Sequence, residues 1–147
     1  MCAWLQEDLA SHDKEWLIAY WHHPPYTKGS HDSDVETELI QMRQNVVPIL
    51  EAFGTDLVLC GHSHCYERSF LINGHYGLSG TFGATMKRDG GSGREDDTGS
   101  YVKPGTNSAE GTVYVVAGCS GQATFLQADG PHSAMFEIGR ASCRERV

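Results

Sequence analysis

An α/β fold built around a central sheet is the architecture this sequence predicts, and three observations predict it. Helix-like and strand-like segments alternate through Cys60, the αβαβ order of such folds. Apolar runs near Trp16–Trp21, at Leu57–Cys60 and at Val113–Ala117 are short and continuous, as buried strands are. The first two of these strands end in histidine-bearing loops, and Gly118 stops the third.

Each element has its own warrant. Trp4, Leu5 and Leu9 share a face at helical spacing, predicting a short helix that ends near His12. The run to Trp21 reads as a strand covered on both faces, and Pro24-Pro25 end it, since neither proline can continue a strand or helix. The polar stretch Thr27–Asp32 reads as an exposed loop. Ser33 and Glu36 fit a capping box for the helix that follows. Its apolar stripe is Val35, Leu39, Met42, Val46, Ile49 and Phe53, with Pro48 kinking or shortening it and Gly54 as its stop. Met42 belongs to that core stripe. After the strand at Leu57, residues Ser69–Tyr76 read as a hairpin about Asn73-Gly74, with His75 exposed beside the turn. Residues 78–111 are rich in Gly, Ser, Asp and Lys and read as a long surface loop. Ser133–Phe136 begins a further strand.

Composition bounds the function. With 147 residues the chain is one domain's worth, and 39% hydrophobic and 20% charged residues are ordinary for a globular protein. No apolar run approaches the roughly 20 residues of a membrane span. A net charge of -8 argues against a nucleic-acid-binding surface, though not against a phosphoester substrate whose charge metal ions can meet. The five cysteines are irregularly spaced and form no disulfide framework; Cys60 reads as a small buried residue rather than a zinc ligand. Gly118-Cys-Ser-Gly-Gln122 departs from a nucleophile elbow at its last position and reads as a strand-ending turn. Gly90-Gly-Ser-Gly93 lacks the strand before it and the Gly-Lys after it that a phosphate loop needs.

The chemistry concentrates at Gly61-His-Ser-His64. Imidazole is the commonest metal ligand, and two histidines spaced by two at a strand end converge if the backbone turns sharply, as Gly61 permits. Taken alone, such a pair is either a metal site or two turn histidines. A second histidine-rich strand end, His22-His-Pro-Pro-Tyr26, tips the balance toward metal.

Together these stretches resemble the calcineurin-like metallophosphoesterases, and within them the purple acid phosphatase-like branch. Gly61-His-Ser-His-Cys-Tyr-Glu-Arg68 is similar to that branch's last metal motif and His22–Tyr26 to the one before it. The resemblance runs from about Trp4 to about Met135 and covers the carboxyl-terminal half of such an enzyme. It implies a partial four-layered αββα sandwich over residues 1–137, and metal-dependent hydrolysis of phosphoesters, of the acid phosphatase or phosphodiesterase type, by a dinuclear centre. The implied cofactors are two metal ions, iron with zinc, iron or manganese, and the implied partner is a small phosphoester. His22 and His62 resemble ligands of the divalent ion and His64 the single histidine on its neighbour. His31 resembles a position that contacts substrate or leaving group. His23 fits a packed supporting role, and His12, His75 and His132 are expected away from the site. The family's Asp-x-Gly, Gly-Asp-x-x-Tyr and Gly-Asn-His motifs do not precede His22, so the chain alone is expected to be inactive. The other reading is a non-catalytic α/β or zinc-binding module that retains only the histidine motifs. Many proteins of this branch are secreted, making an extracytoplasmic location the expectation. Residues 138–147 shift abruptly to basic and polar and read as a non-native tail, a translated sequencing adapter.

Overall fold

The three apolar runs become the heart of one sheet. In the computed structural model, which describes residues 2–103, 110–122 and 124–139, β1 (Ile18–Trp21), β2 (Leu57–Cys60) and β6 (Val113–Ala117) lie side by side and parallel. β3 (Tyr66–Ser69) and β7 (Met135–Gly139) extend the sheet antiparallel, giving the order β1-β2-β6-β3-β7. β4 (Leu71–Ile72) pairs with β5 (Lys87–Asp89) in a second, two-stranded sheet. Ile138 and Gly139, assigned from sequence to the tail, pair with Glu67 and Tyr66, while residues 140–147 lie outside the described residues.

Helices cover one face of the larger sheet. α1 (Cys2–Ala10) sends Leu9 into a core with Val58, Cys60, Tyr114 and Val116. The long predicted helix is segmented: α2 (Thr37–Gln41), a π-helical stretch (Met42–Val46) and α3 (Val47–Ala52). Pro48 explains the division. It has no N–H to donate, so it is accommodated in the first turn of α3, and the residues before it widen into π geometry. The apolar stripe holds at Leu39, Val46 and Ile49 but fails at its ends, since Val35 precedes the helix and is exposed.

The Thr27–Asp32 loop, expected to be exposed, is buried at Thr27, Lys28 and Gly29 because Glu67 draws it in, and four further sequence expectations are corrected. The first is the capping box. Ser33 instead bonds the backbone of Thr27, its hydroxyl accepting from the N–H and donating to the carbonyl, while Glu36 becomes the residue before the helix and turns its carboxylate elsewhere. The second is the Asn73-Gly74 hairpin. The buried carboxylate of Glu51 on α3 accepts from Gly74 N–H, Tyr76 Oη and Tyr114 Oη, pulling the chain down onto the helix, and β4 takes β5 as its partner. The third follows from it: His75 is fully buried, stacked 5.5 Å from the Tyr26 ring and 5.2 Å from Phe82. The fourth is the double coverage of β1. Its outer face is open, with Ile18 53% and Tyr20 83% exposed, and beside it Trp16, Leu57, Tyr101, Val113 and Val115 line an apolar groove of about 640 Å³.

Candidate metal centre

Parallel pairing of β1 with β2 in the register Trp21↔Cys60 makes the two histidine loops leave the sheet at the same edge. Gly61 N–H donates to the His22 carbonyl at 3.1 Å, carrying the pairing one step beyond the strands. The sharp turn then falls on His62, whose φ is 64°, and not on Gly61 as the sequence suggests. A non-glycine residue in this region is uncommon and is held there by its surroundings. Next to it the packing is tight: a Cβ on Gly118, just after β6, would lie 2.2 Å from the Ser63 carbonyl, so the loop and the turn after β6 meet backbone to backbone.

The result is a cluster of imidazoles. His22 Nε2 lies 3.2 Å from His62 Nδ1, and the rings are 5.1 Å apart. His23 packs against both, at 5.0 and 4.8 Å. On the other side of His62 the His31 ring lies 3.8 Å away, and Glu36 reaches between them, 3.0 Å from His31 Nδ1 and 3.3 Å from His62 Nε2. Two donor sets can hold a metal ion, His22 with His23 and His62, and His31 with Glu36 and His62. The His64 ring is in neither. Its backbone is fixed instead, the N–H donating to Ser30 Oγ at 2.9 Å and the carbonyl accepting from Thr124. His12 is exposed, and neither His75 nor His132 enters either set.

Charge is balanced locally. Burial depresses the pKa of His62, with His31 and His23 adding to the effect and Glu36 opposing it. Burial would raise Glu36, but the Asp32 N–H and the two imidazoles outweigh it and hold the carboxyl below its ordinary value. Both effects favour neutral imidazole lone pairs beside an ionised carboxylate, the protonation states a cation needs. The 3.2 Å nitrogen separation is also what two ligands at about 2.0–2.1 Å from one tetrahedral zinc-sized ion span. His22 and His62 therefore fit a metal.

Beneath the cluster, alternate residues of the motif do a different job. Ser63, Cys65 and Glu67 are fully buried and face the 27–31 loop. Ser63 Oγ accepts from Ser30 N–H at 2.9 Å, and the Glu67 carboxylate accepts from the Thr27 hydroxyl and from Lys28 N–H. Gly29 lies so close that a Cβ would stand 2.1 Å from Cys65 Sγ. Burial pushes the Cys65 thiol up to about 12, with the Glu67 charge adding to it, so it is a packed thiol rather than a ligand.

Sequence reading brought forward His22, His31 and His62, which converge, but missed Glu36 and the cluster role of His23. For His23 the signal was its adjacency to His22. For Glu36 it was masked by a spacing that imitates a helix cap.

Residues 3–66 match the family model described as calcineurin-like phosphoesterase, the class that fold and site resemble. Within that class the likeness is to purple acid phosphatases, and the resemblance carried by the two histidine motifs holds. Purple acid phosphatase 15 of Arabidopsis thaliana is 40% identical over 70 residues, which are 45% of this chain and 12% of that protein. Purple acid phosphatase 18 of the same plant is 36% identical over 77 residues, 48% of this chain and 16% of that protein. A solved purple acid phosphatase from yellow lupin (Lupinus luteus) seeds superposes over 94% of this chain and 22% of its own, with a TM-score of 0.57 and 17% identity. That likeness speaks to fold, and it bears out the expectation of a partial metallophosphoesterase sandwich. The matches span less than a fifth of the length of these two Arabidopsis relatives.

Proposed function

We propose that this chain forms part of a metal-dependent phosphoester hydrolase of the purple acid phosphatase kind, with His22 and His62 as ligands of a divalent ion. The observation that carries the reading is the 3.2 Å approach of His22 Nε2 to His62 Nδ1 at the shared edge of β1 and β2. His64 is assigned to a second ion, and the pair would be iron with zinc, iron or manganese. Held there, two such ions would supply positive charge for phosphate oxygens and an activated water. The residues of this chain do the rest. His31 keeps its Nδ1–H on Glu36, and when the ring takes up a second proton at Nε2, as imidazolium, that nitrogen is the one to hand it to the leaving oxygen of a small phosphoester. Ser63 and Glu67 hold the loop that places it. The same reading puts the complete enzyme outside the cytoplasm. Among the described residues the carboxylate in these donor sets, Glu36, lies at His62 Nε2 while His22 lies at Nδ1, and on this reading the chain by itself does not turn substrate over.

The experiment compares the chain as it stands with the same chain extended by whatever its gene encodes upstream. Each is loaded with zinc, iron or manganese and assayed on an aryl phosphate. Weak metal binding by the chain, turnover only in the extended protein, and loss of that turnover in His62→Ala are the expected results. Equal turnover by the chain alone would overturn the reading.

A further inference from the structure

The carboxylate of Glu36 faces two imidazoles of the cluster, and neither the family likeness nor the motif spacing assigns it a role. We propose that Glu36 is a positioning residue that selects the ring tautomer of His62 and thereby aims its Nδ1 lone pair at the place where His22 Nε2 also points. The inference rests on the metal reading of the preceding section and extends it to a residue outside both histidine motifs.

The argument is one of proton counting. A neutral imidazole has one N–H and one lone pair, on different nitrogens, and an ionised carboxylate only accepts. Glu36 is anchored, its Oε1 accepting the Asp32 N–H at 2.9 Å. Its Oε2 lies 3.3 Å from His62 Nε2, so that nitrogen carries the proton and the lone pair falls on Nδ1. His22 Nε2 is 3.2 Å from Nδ1, close enough to donate to it when no ion is present and to share an ion with it when one is. The same count applies to His31, whose Nδ1 lies 3.0 Å from both carboxylate oxygens, which puts its proton on Nδ1. A carboxylate taking the second N–H of a ligand histidine fixes ring orientation and raises ligand basicity.

The competing arrangement is an ion held by His31, Glu36 and His62 themselves. It would use the Nε2 lone pair of His62, and a neutral ring has no second one to share with His22. The two arrangements therefore predict opposite tautomers.

The test reads the tautomer directly. Long-range proton–nitrogen NMR of the metal-free full chain at pH 7.5 should show His62 protonated at Nε2. Glu36→Gln should mix the tautomers and weaken zinc binding, titrated calorimetrically, by roughly 10–100-fold. A His62 protonated at Nδ1 in the unsubstituted chain would overturn the proposal. So would a folded Glu36→Gln variant with unchanged tautomer and affinity. If His62 is Nε2-protonated and Glu36→Gln shifts it, yet no zinc binds, the assignment to Glu36 stands and the metal reading is what falls.

Discussion

His62 holds a left-handed backbone angle, 64°, while serving as the hub of the imidazole cluster. For a residue with a Cβ that conformation costs about 1–2 kcal/mol. Glycine would remove the strain and, with it, the ligand. The expected outcome for His62→Gly is a urea midpoint equal to or above that of the parent chain, combined with loss of zinc binding in calorimetry. A variant that is clearly destabilised yet still binds zinc would mean that the loop is relaxed and the ring is not a ligand. Nothing in the sequence singles out His62 over Gly61 for the left-handed position. The neighbouring Ser63 meets the backbone of Gly118, just past β6 and more than fifty residues away in sequence, a contact that no local pattern reveals.

One element, the segment from His62 through Ser69, carries two functions on alternate residues. Its buried row grips the 27–31 loop and its other row carries the histidines. Glu67→Ala should leave the Thr27 hydroxyl proton and the Lys28 N–H without their acceptor in a buried setting, at a cost of about 1–3 kcal/mol for such orphaned groups. Hydrogen exchange should quicken at Lys28 and leave β2 protected; uniform acceleration across the sheet would show that Glu67 serves the core rather than the loop. The strands were legible because an apolar run needs no knowledge of its neighbours: β2 and β6 fall where the sequence places them. The rest depended on partners distant in the chain. Glu36 imitates a cap locally, and only its approach to His62, 26 residues on, reveals otherwise. The turn at Asn73 is a good hairpin signal that loses to Glu51, a carboxylate on a different element.

At the scale of the whole molecule the core contains two neutral histidines. His75 and His132 are fully buried with ring centroids 5.5 Å apart, and both contact Tyr26, the residue that closes the first histidine loop. Burial drives His75 to about 4, with Arg43 adding to it and Asp34 opposing it. Burial drives His132 to about 3, reinforced by His75, Arg43 and Lys28 and opposed by Asp34. In the unfolded chain both titrate near 6.5. Below that pH the unfolded state takes up protons that the folded state refuses, so stability is full above about 6.5 and drains away as pH falls toward 3. The loss amounts to several kcal/mol, on the order of the net stability of a small domain. Thermal unfolding followed from pH 7.5 to 4 should show a steep fall in Tm that His132→Gln makes shallower. A flat profile in the parent chain would show that the pair is hydrated rather than dry.

The open face of the sheet also gives the molecule an optical signature. Trp16 lines the groove on that face and is 67% exposed, and Trp4 lines a second groove beside α1 and is 63% exposed. The third tryptophan, Trp21, is half-buried and donates its indole N–H to the His23 carbonyl in the histidine loop. Emission from the first two is that of indole in water, at long wavelength, and any surface that covers the sheet would shift it to the blue. Emission from Trp21 follows the loop instead. Selective replacement of Trp4 and Trp16 by phenylalanine would therefore leave a single tryptophan reporting on the histidine cluster without any added label.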